Sequence, residues 1–254
     1  SCAYDATITV LFNIWCEDPT LTTASWQVID CNILHTLTHH SVPPIITQAA
    51  ERHFSLDQIR DYFRWQMSRI SEEFTIGRYA SVHSIFLHLL KTAQAVALTH
   101  VECPNLHDVD RNQGQIQSCE LISFEEQGTD VQSCMDNFRV LLGSACPTCD
   151  TNLVQKTTYV QAPPLLVFDL GQHVPTMNCV IYITKEGQCM AYKLIGVIYY
   201  ANEHFTAHVI TSSGQTWFHD GMFIGCSLLY KSQVITSIDT NGAVLAVYVS
   251  ESLS

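Results

Sequence analysis

Cys2, in Ser1-Cys2-Ala3-Tyr4-Asp5-Ala6, is a thiol placed directly before a long apolar segment. Near the other end of the chain stand Glu203-His204-Phe205-Thr206-Ala207-His208 and Thr216-Trp217-Phe218-His219-Asp220-Gly221. Together they offer a nucleophile, a base and an orienting carboxylate in the order Cys, His, Asp. Such a triad is defined by roles and geometry, so distance along the chain is no objection. The chemistry it would support is that of a cysteine hydrolase. Strand alternation over 205–210 puts His204, Thr206 and His208 on one face, and a short Gly-containing turn joins this strand to 216–219. The hairpin would bring Asp220 back to His204, fix the imidazole tautomer and leave the other ring nitrogen for Cys2. His208 is a rival base and His219 a weaker one.

A second constellation is Cys146-Pro-Thr-Cys149, a tight turn that lets two thiolates meet one zinc ion. Cys103-Pro-Asn-Leu-His107 supplies a second pair, with His100 and Cys119 in reserve. Four protein ligands leave no open position, so the role of such a zinc is structural, tying the tips of two strands together. A redox or merely buried thiol pair is the plainer alternative.

These residues need elements to hold them. Residues 3–15 are apolar on nearly every face and read as a buried helix, although the run Thr7 to Val10 would suit a strand. Cys2 would then lie at a helix N-terminus, where free N–H groups favour a thiolate, with Ser1 as a cap. Pro43-Pro44 breaks the chain, Ser55 opens a helix carrying Ile59, Tyr62, Phe63, Met67 and Ile70, and 82–97 reads as another. Strands are expected at 157–160, 165–170, 179–184, 193–200, 205–210, 216–219 and 243–249. Pro163-Pro164, Lys185-Glu186-Gly187, Ser212-Ser213-Gly214 and Asn241-Gly242 mark the turns. Helices first and strands second is the pattern of an α+β protein.

With 254 residues and 47% apolar content, the chain can bury a substantial core, in one domain or two joined lobes. A formal charge of −12 excludes the basic footprint of a nucleic-acid binder and suits a partner with a basic surface. Eleven cysteines, an odd number with one Cys-x-x-Cys pair, point to a reducing compartment, cytoplasm or nucleus. No stretch reads as a membrane span or leader. The chain opens without Met one residue before its best nucleophile, and reads as a domain cut from a longer protein.

At this level the chain resembles the catalytic domain of ubiquitin-specific proteases, the papain-like deubiquitinases. Ser1-Cys2-Ala3-Tyr4-Asp5 is similar to the family's Cys box. Asn202-Glu-His-Phe-Thr-Ala-His-Val-Ile210 with Gln215-Thr-Trp-Phe-His-Asp220 is similar to its His box. Cys134 to Phe138, Cys146-Pro-Thr-Cys149, Pro163 to Leu170 and the closing run 243–249 follow in the family's order. The resemblance implies a single domain with a helical thumb (1–100), zinc-bearing fingers (101–160) and an antiparallel β palm (161–254). It implies an isopeptidase with Cys2 as nucleophile, His204 as base and Asp220 as third member, with zinc on Cys103, His107, Cys146 and Cys149. No organic cofactor, nucleic acid or membrane enters this expectation, and the chain is expected to be a monomer acting on ubiquitin or a ubiquitin-like protein. The alternatives are a weak or inactive module that only binds such a protein, and a papain-like protease or transferase with other substrates. Four departures mark this sequence. Glu203-His204-Phe205 stands for Gly-His-Tyr, Gly77 to His83 stands for a Gln-Asp-His-Glu-like helix start, an oxyanion-hole Asn would lie upstream of Ser1, and the first metal pair is Cys103 and His107 at an unusual spacing.

Overall fold

The computed structural model describes residues 2–27, 29, 56–91, 95–109, 114–116, 121–123, 129–136, 140–171, 176–185, 187–223, 228–232 and 241–251. Ser1, Pro43-Pro44, Ser55, Cys119, Phe138 and Glu186, singled out above, lie outside them. The chain begins with α1 (Cys2–Glu17), which is buried along most of its length from Ala3 to Trp15. Burial on all sides overrides the strand preference of Thr7 to Val10, since tertiary packing outweighs the small propensity differences. Asp18 caps α2 (Pro19–Trp26) by accepting from the Leu21 amide at 2.8 Å, with Pro19 at the first helical position. In α3 (Leu56–Ile70) the buried Ile59, Phe63 and Met67 recur every fourth residue. Ser81 caps α4 (Val82–Leu89), accepting from Ser84 at 3.0 Å. This helix is shorter than the expected 82–97. Val96 accepts from the Val160 and Gln161 amides, and Ala97 already opens a strand. None of the described helices is long and apolar enough to cross a membrane.

The strands are β1 (Ala97–Glu102), β2 (Gly114–Ile116), β3 (Leu121–Ser123), β4 (Val140–Ala145), β5 (Asn152–Tyr159), β6 (Leu165–Asp169), β7 (Val180–Lys185), β8 (Gln188–Ala201), β9 (His204–Ile210), β10 (Thr216–His219), β11 (Leu229–Ser232) and β12 (Ala243–Ser250), with α5 (Val131–Asp136) before β4. The expected strands are present, with β5 and β8 each beginning five residues earlier than expected; β1 to β4 and β11 are additional. All twelve join one sheet, so the fold class is mixed α+β. Its central member is β8. One edge pairs β12, while the other pairs β7 over 188–193 and β9 over 196–201. From β12 the sheet continues to β6 and β3; from β7 it passes to β5, β1 and β2.

Both faces of the centre are covered, which explains its unbroken apolar runs. Leu165, Val167, Leu245, Val247 and Val249 pack with α1, α3 and α4. Leu166, Phe168, Ala246 and Tyr248 form a second core on the opposite face. A bulge in β8 at Ile195 puts Ile195 and Ile198 on the helical side together. Beside it, Gly196 has no side chain for a steric reason. A Cβ there would lie 2.6 Å from Cγ1 of Val10, so α1 rests on the β8 backbone.

Candidate functional site

The β8–β9 hairpin turns through Asn202 and Glu203, at φ +51° and +60°, with Ala201 paired to His204. Two central residues with positive φ make the turn whose twist suits a two-residue hairpin. Glu203 takes this conformation without the freedom of glycine. His204 therefore opens β9, and Asp220 follows the last residue of the antiparallel neighbour β10. Register pairs His219 with Ala207, so Asp220 falls on the same face as His204, two positions along.

The imidazole and the carboxylate meet there. His204 Nε2–H donates to Asp220 Oδ1 at 2.8 Å, and both side chains are largely buried. The same oxygen accepts from the amides of Met222 and Phe223 at 3.0 and 3.3 Å. Burial alone would raise the Asp220 pKa; the His204 and amide hydrogen bonds outweigh it and hold the carboxyl below its usual range. With Nε2 committed as a donor, Nδ1 of His204 is the nitrogen left to accept a proton.

Cys2 is the first residue of α1 and half-buried. It lines a cavity of about 660 Å³ together with Tyr4, Tyr79, Tyr200 and the two residues that flank His204, Glu203 and Phe205. The first turn of α1 abuts the end of the β9–β10 hairpin, because Asp5 lies against Gly221, the neighbour of Asp220. Cys2 and His204 share no hydrogen bond; the cavity lies at the junction of their elements. The rivals are placed elsewhere. His208 packs its ring on Tyr199 and Phe218, and His219 is buried on the helical side, within electrostatic reach of Asp5. Tyr79, Tyr200 and Asp5 were not singled out from the sequence. Asp5 was detectable in principle, standing one turn after Cys2 on a helix; the others depend on which loops meet.

The Cys/His constellation converges at the far end of the arm formed by β1, β4 and β5. Cys103 follows β1, and Cys146 to Cys149 form the turn between β4 and β5; β5 pairs with both β4 and β1. The ligand atoms of Cys103, His107, Cys146 and Cys149 all lie within 4.8 Å of one another. Cys103 and Cys149 sulfurs are 3.5 Å apart, and His107 Nδ1 is 3.6 and 3.8 Å from the sulfurs of Cys103 and Cys146. A tetrahedral zinc with sulfur arms of about 2.3 Å and a nitrogen arm of about 2.0 Å requires edges of roughly 3.8 and 3.6 Å. The donor set and its spacing thus fit that ion. Thr151 and Asn105 direct hydrogen-bonding groups at Cys149 and bring its thiol pKa down to about 5, the thiolate form a metal takes. His100 is engaged instead with Glu102 at 3.7 Å.

No protein-family model and no curated protein matches the chain. Solved structures do. The SAGA DUB module Ubp8/Sgf11/Sus1/Sgf73 bound to monoubiquitin aligns over 97% of this chain and 67% of the matched one, with a TM-score of 0.50 and 14% identity. The Ubp8-Sgf11-Sgf73-Sus1 SAGA DUB module aligns over 98% and 65%, with a TM-score of 0.50 and 12% identity. This chain thus spans about two thirds of the length of those it matches. At such identity the likeness is one of fold: the chain has a divergent form of the ubiquitin-specific protease fold.

Proposed function

We propose that this chain is the catalytic part of a cysteine isopeptidase that removes ubiquitin or a ubiquitin-like modifier from proteins. The observation that carries the reading is the 2.8 Å contact of His204 with Asp220 beside the cavity lined by Cys2. In this reading the Cys2 sulfur attacks the carbonyl carbon of the modifier's final glycine, and His204 Nδ1 takes the thiol proton. His204 then protonates the departing amine as the C–N bond breaks, leaving a thioester. Water, deprotonated by His204, hydrolyses the thioester and frees Cys2. Asp220 keeps Nε2 protonated and offsets the imidazolium charge.

The parts beyond the reacting groups fit this role. The modifier would be cradled between the helical part (1–100), the arm (101–160) and the sheet (161–254), its tail running to the cavity at Cys2. Cys103, His107, Cys146 and Cys149 would hold a zinc ion that crosslinks the tips of the arm and takes no part in bond cleavage. The −12 charge suits a basic face on the modifier. Eight free cysteines among the described residues suit a reducing compartment, cytoplasm or nucleus.

Electrophilic probes built on ubiquitin and on SUMO, with Cys2→Ala as control, test the reading. The expected result is a covalent adduct with at least one probe, lost in Cys2→Ala while the fold persists. An adduct that survives Cys2→Ala removes the nucleophile assignment. Absence of any adduct, from folded protein extended upstream of Ser1, leaves a module that binds without cleaving.

A further inference from the structure

One partly buried charge near the site has no role in the chemistry above. Asp5 stands three residues after Cys2, one turn along the same side of α1, and its side chain is only 16% exposed. Arg60 of α3 reaches it at 3.4 Å. Burial nonetheless raises the Asp5 pKa, against the opposing pull of Arg60 and His219. Opposite the carboxylate is Gly221, between Asp220 and the Met222 amide that bonds it. A Cβ on Gly221 would lie 3.1, 3.2 and 3.3 Å from Oδ2, Cγ and Cβ of Asp5. Gly221 does not occupy the left-handed region, so glycine is needed there for space and not for conformation.

We propose that Asp5 is a positioning residue: braced by Arg60, its carboxylate seats on Gly221 and sets how closely Cys2 approaches the His204–Asp220 pair. The inference rests on the reading of Cys2, His204 and Asp220 as the reacting groups. Cys2 and Asp5 share one rigid turn, so whatever fixes Asp5 fixes the thiol. The opposing surface belongs to the segment that holds Asp220, so a shift at Gly221 moves the carboxylate's own amide donors. A buried ion pair is weak evidence for stability, because desolvation offsets most of the attraction. Its placement at the junction of nucleophile and base gives it a different use.

The test measures two rates on the whole chain, with Tm alongside. One is alkylation of Cys2 by iodoacetamide, followed by mass spectrometry at that residue; the other is capture by the reactive electrophilic probe, resolved into a maximal rate and an apparent affinity. Gly221→Ala and Asp5→Ala are each expected to lower alkylation and maximal probe rate by roughly tenfold, the scale of a sub-ångström misplacement, with apparent affinity unchanged. Because the added methyl gains room when Asp5 is shortened, Asp5→Ala/Gly221→Ala should be no slower than Asp5→Ala alone. Should Gly221→Ala not fold, Asp5→Asn carries the test, with a loss in maximal rate at unchanged affinity. Additive losses in the double variant, or variants that lower Tm at wild-type rates, overturn the inference and leave the catalytic reading standing. A wild-type Cys2 no more reactive than free cysteine, with no probe adduct, removes the catalytic reading and this inference with it.

Discussion

Replacing Gly196 by Ala tests how α1, the helix that begins at Cys2, is seated. The new Cβ would stand 2.6 Å from Val10 Cγ1 and 2.9 Å from Cγ2, where carbon atoms prefer about 3.5–4.0 Å. The overlap is thus about 1 Å. Val10 has no easy escape, being fully buried and β-branched on a helix, where one χ1 rotamer dominates. Either α1 lifts from β8 or the core is overpacked, at about 1–3 kcal/mol. For a chain of this size each kcal/mol lowers Tm by roughly 2–4 °C, so the expected fall is about 2–12 °C. A lift of about 1 Å would also displace Cys2, and such a misplacement can slow a reaction by roughly a hundredfold. Val10→Ala alone should cost about 2 kcal/mol through lost burial and a cavity. Combined with Gly196→Ala, it frees space for the new methyl, and the double variant should fall short of the summed losses by at least about 1 kcal/mol. Calorimetry and probe labelling read both effects. A Gly196→Ala protein with wild-type Tm, or strictly additive losses, would refute the close seating of α1 on β8.

Three further outcomes are expected. Elemental analysis should find about one zinc per chain, lost when Cys146 and Cys149 are changed to Ser, while His107→Cys, which keeps a tetrahedral ligand set, should retain it; an equally stable metal-free wild type would remove the site. The depressed Asp220 pKa means that its ionised form stabilises the fold above the ordinary carboxylate value near 3.9, and that this stability is lost as pH falls through the lower folded value. Asp220→Asn should therefore lower Tm at pH 7 and converge with wild type in strong acid, whereas a constant difference across pH would contradict the assignment. Glu203→Gly should raise stability by about 1 kcal/mol, since a non-glycine residue at φ +60° carries about 1–2 kcal/mol of steric cost; unchanged or lower stability in denaturant titration would show that the turn is not strained.

The candidate site was legible where its geometry is local. A strand, a short Gly-bearing turn and a second strand ending in Asp suffice to bring His204 and Asp220 together, because hairpin register follows from sequence spacing. The two Cys/His turns were likewise visible as close pairs. That they meet was not readable from either pair alone, since it depends on β1 lying beside β5. The contact of Asp5 with Gly221 was out of reach for the same reason, since it spans the first helix and a late loop. In the fold, α1 declared itself by apolar residues on every face. β1 was hidden in an apolar run continuous with α4, and β2 and β3 are too short for a period to show. The strand-like run in α1 went helical because a site buried on all sides outweighs local preference.

The seat of α1 also says something about time. Val10 rests on Gly196 and Asp5 on Gly221, so α1 finds its surroundings only in segments synthesised close to two hundred residues later. Contacts so distant in sequence close late and slowly, because loop entropy opposes them until the sheet exists to reward them. Until then α1 is a strongly apolar segment without a partner, the kind of surface a chaperone holds. Cys2 correspondingly acquires its late neighbours, Tyr200, Glu203 and Phe205, only when β8 and β9 fold against α1.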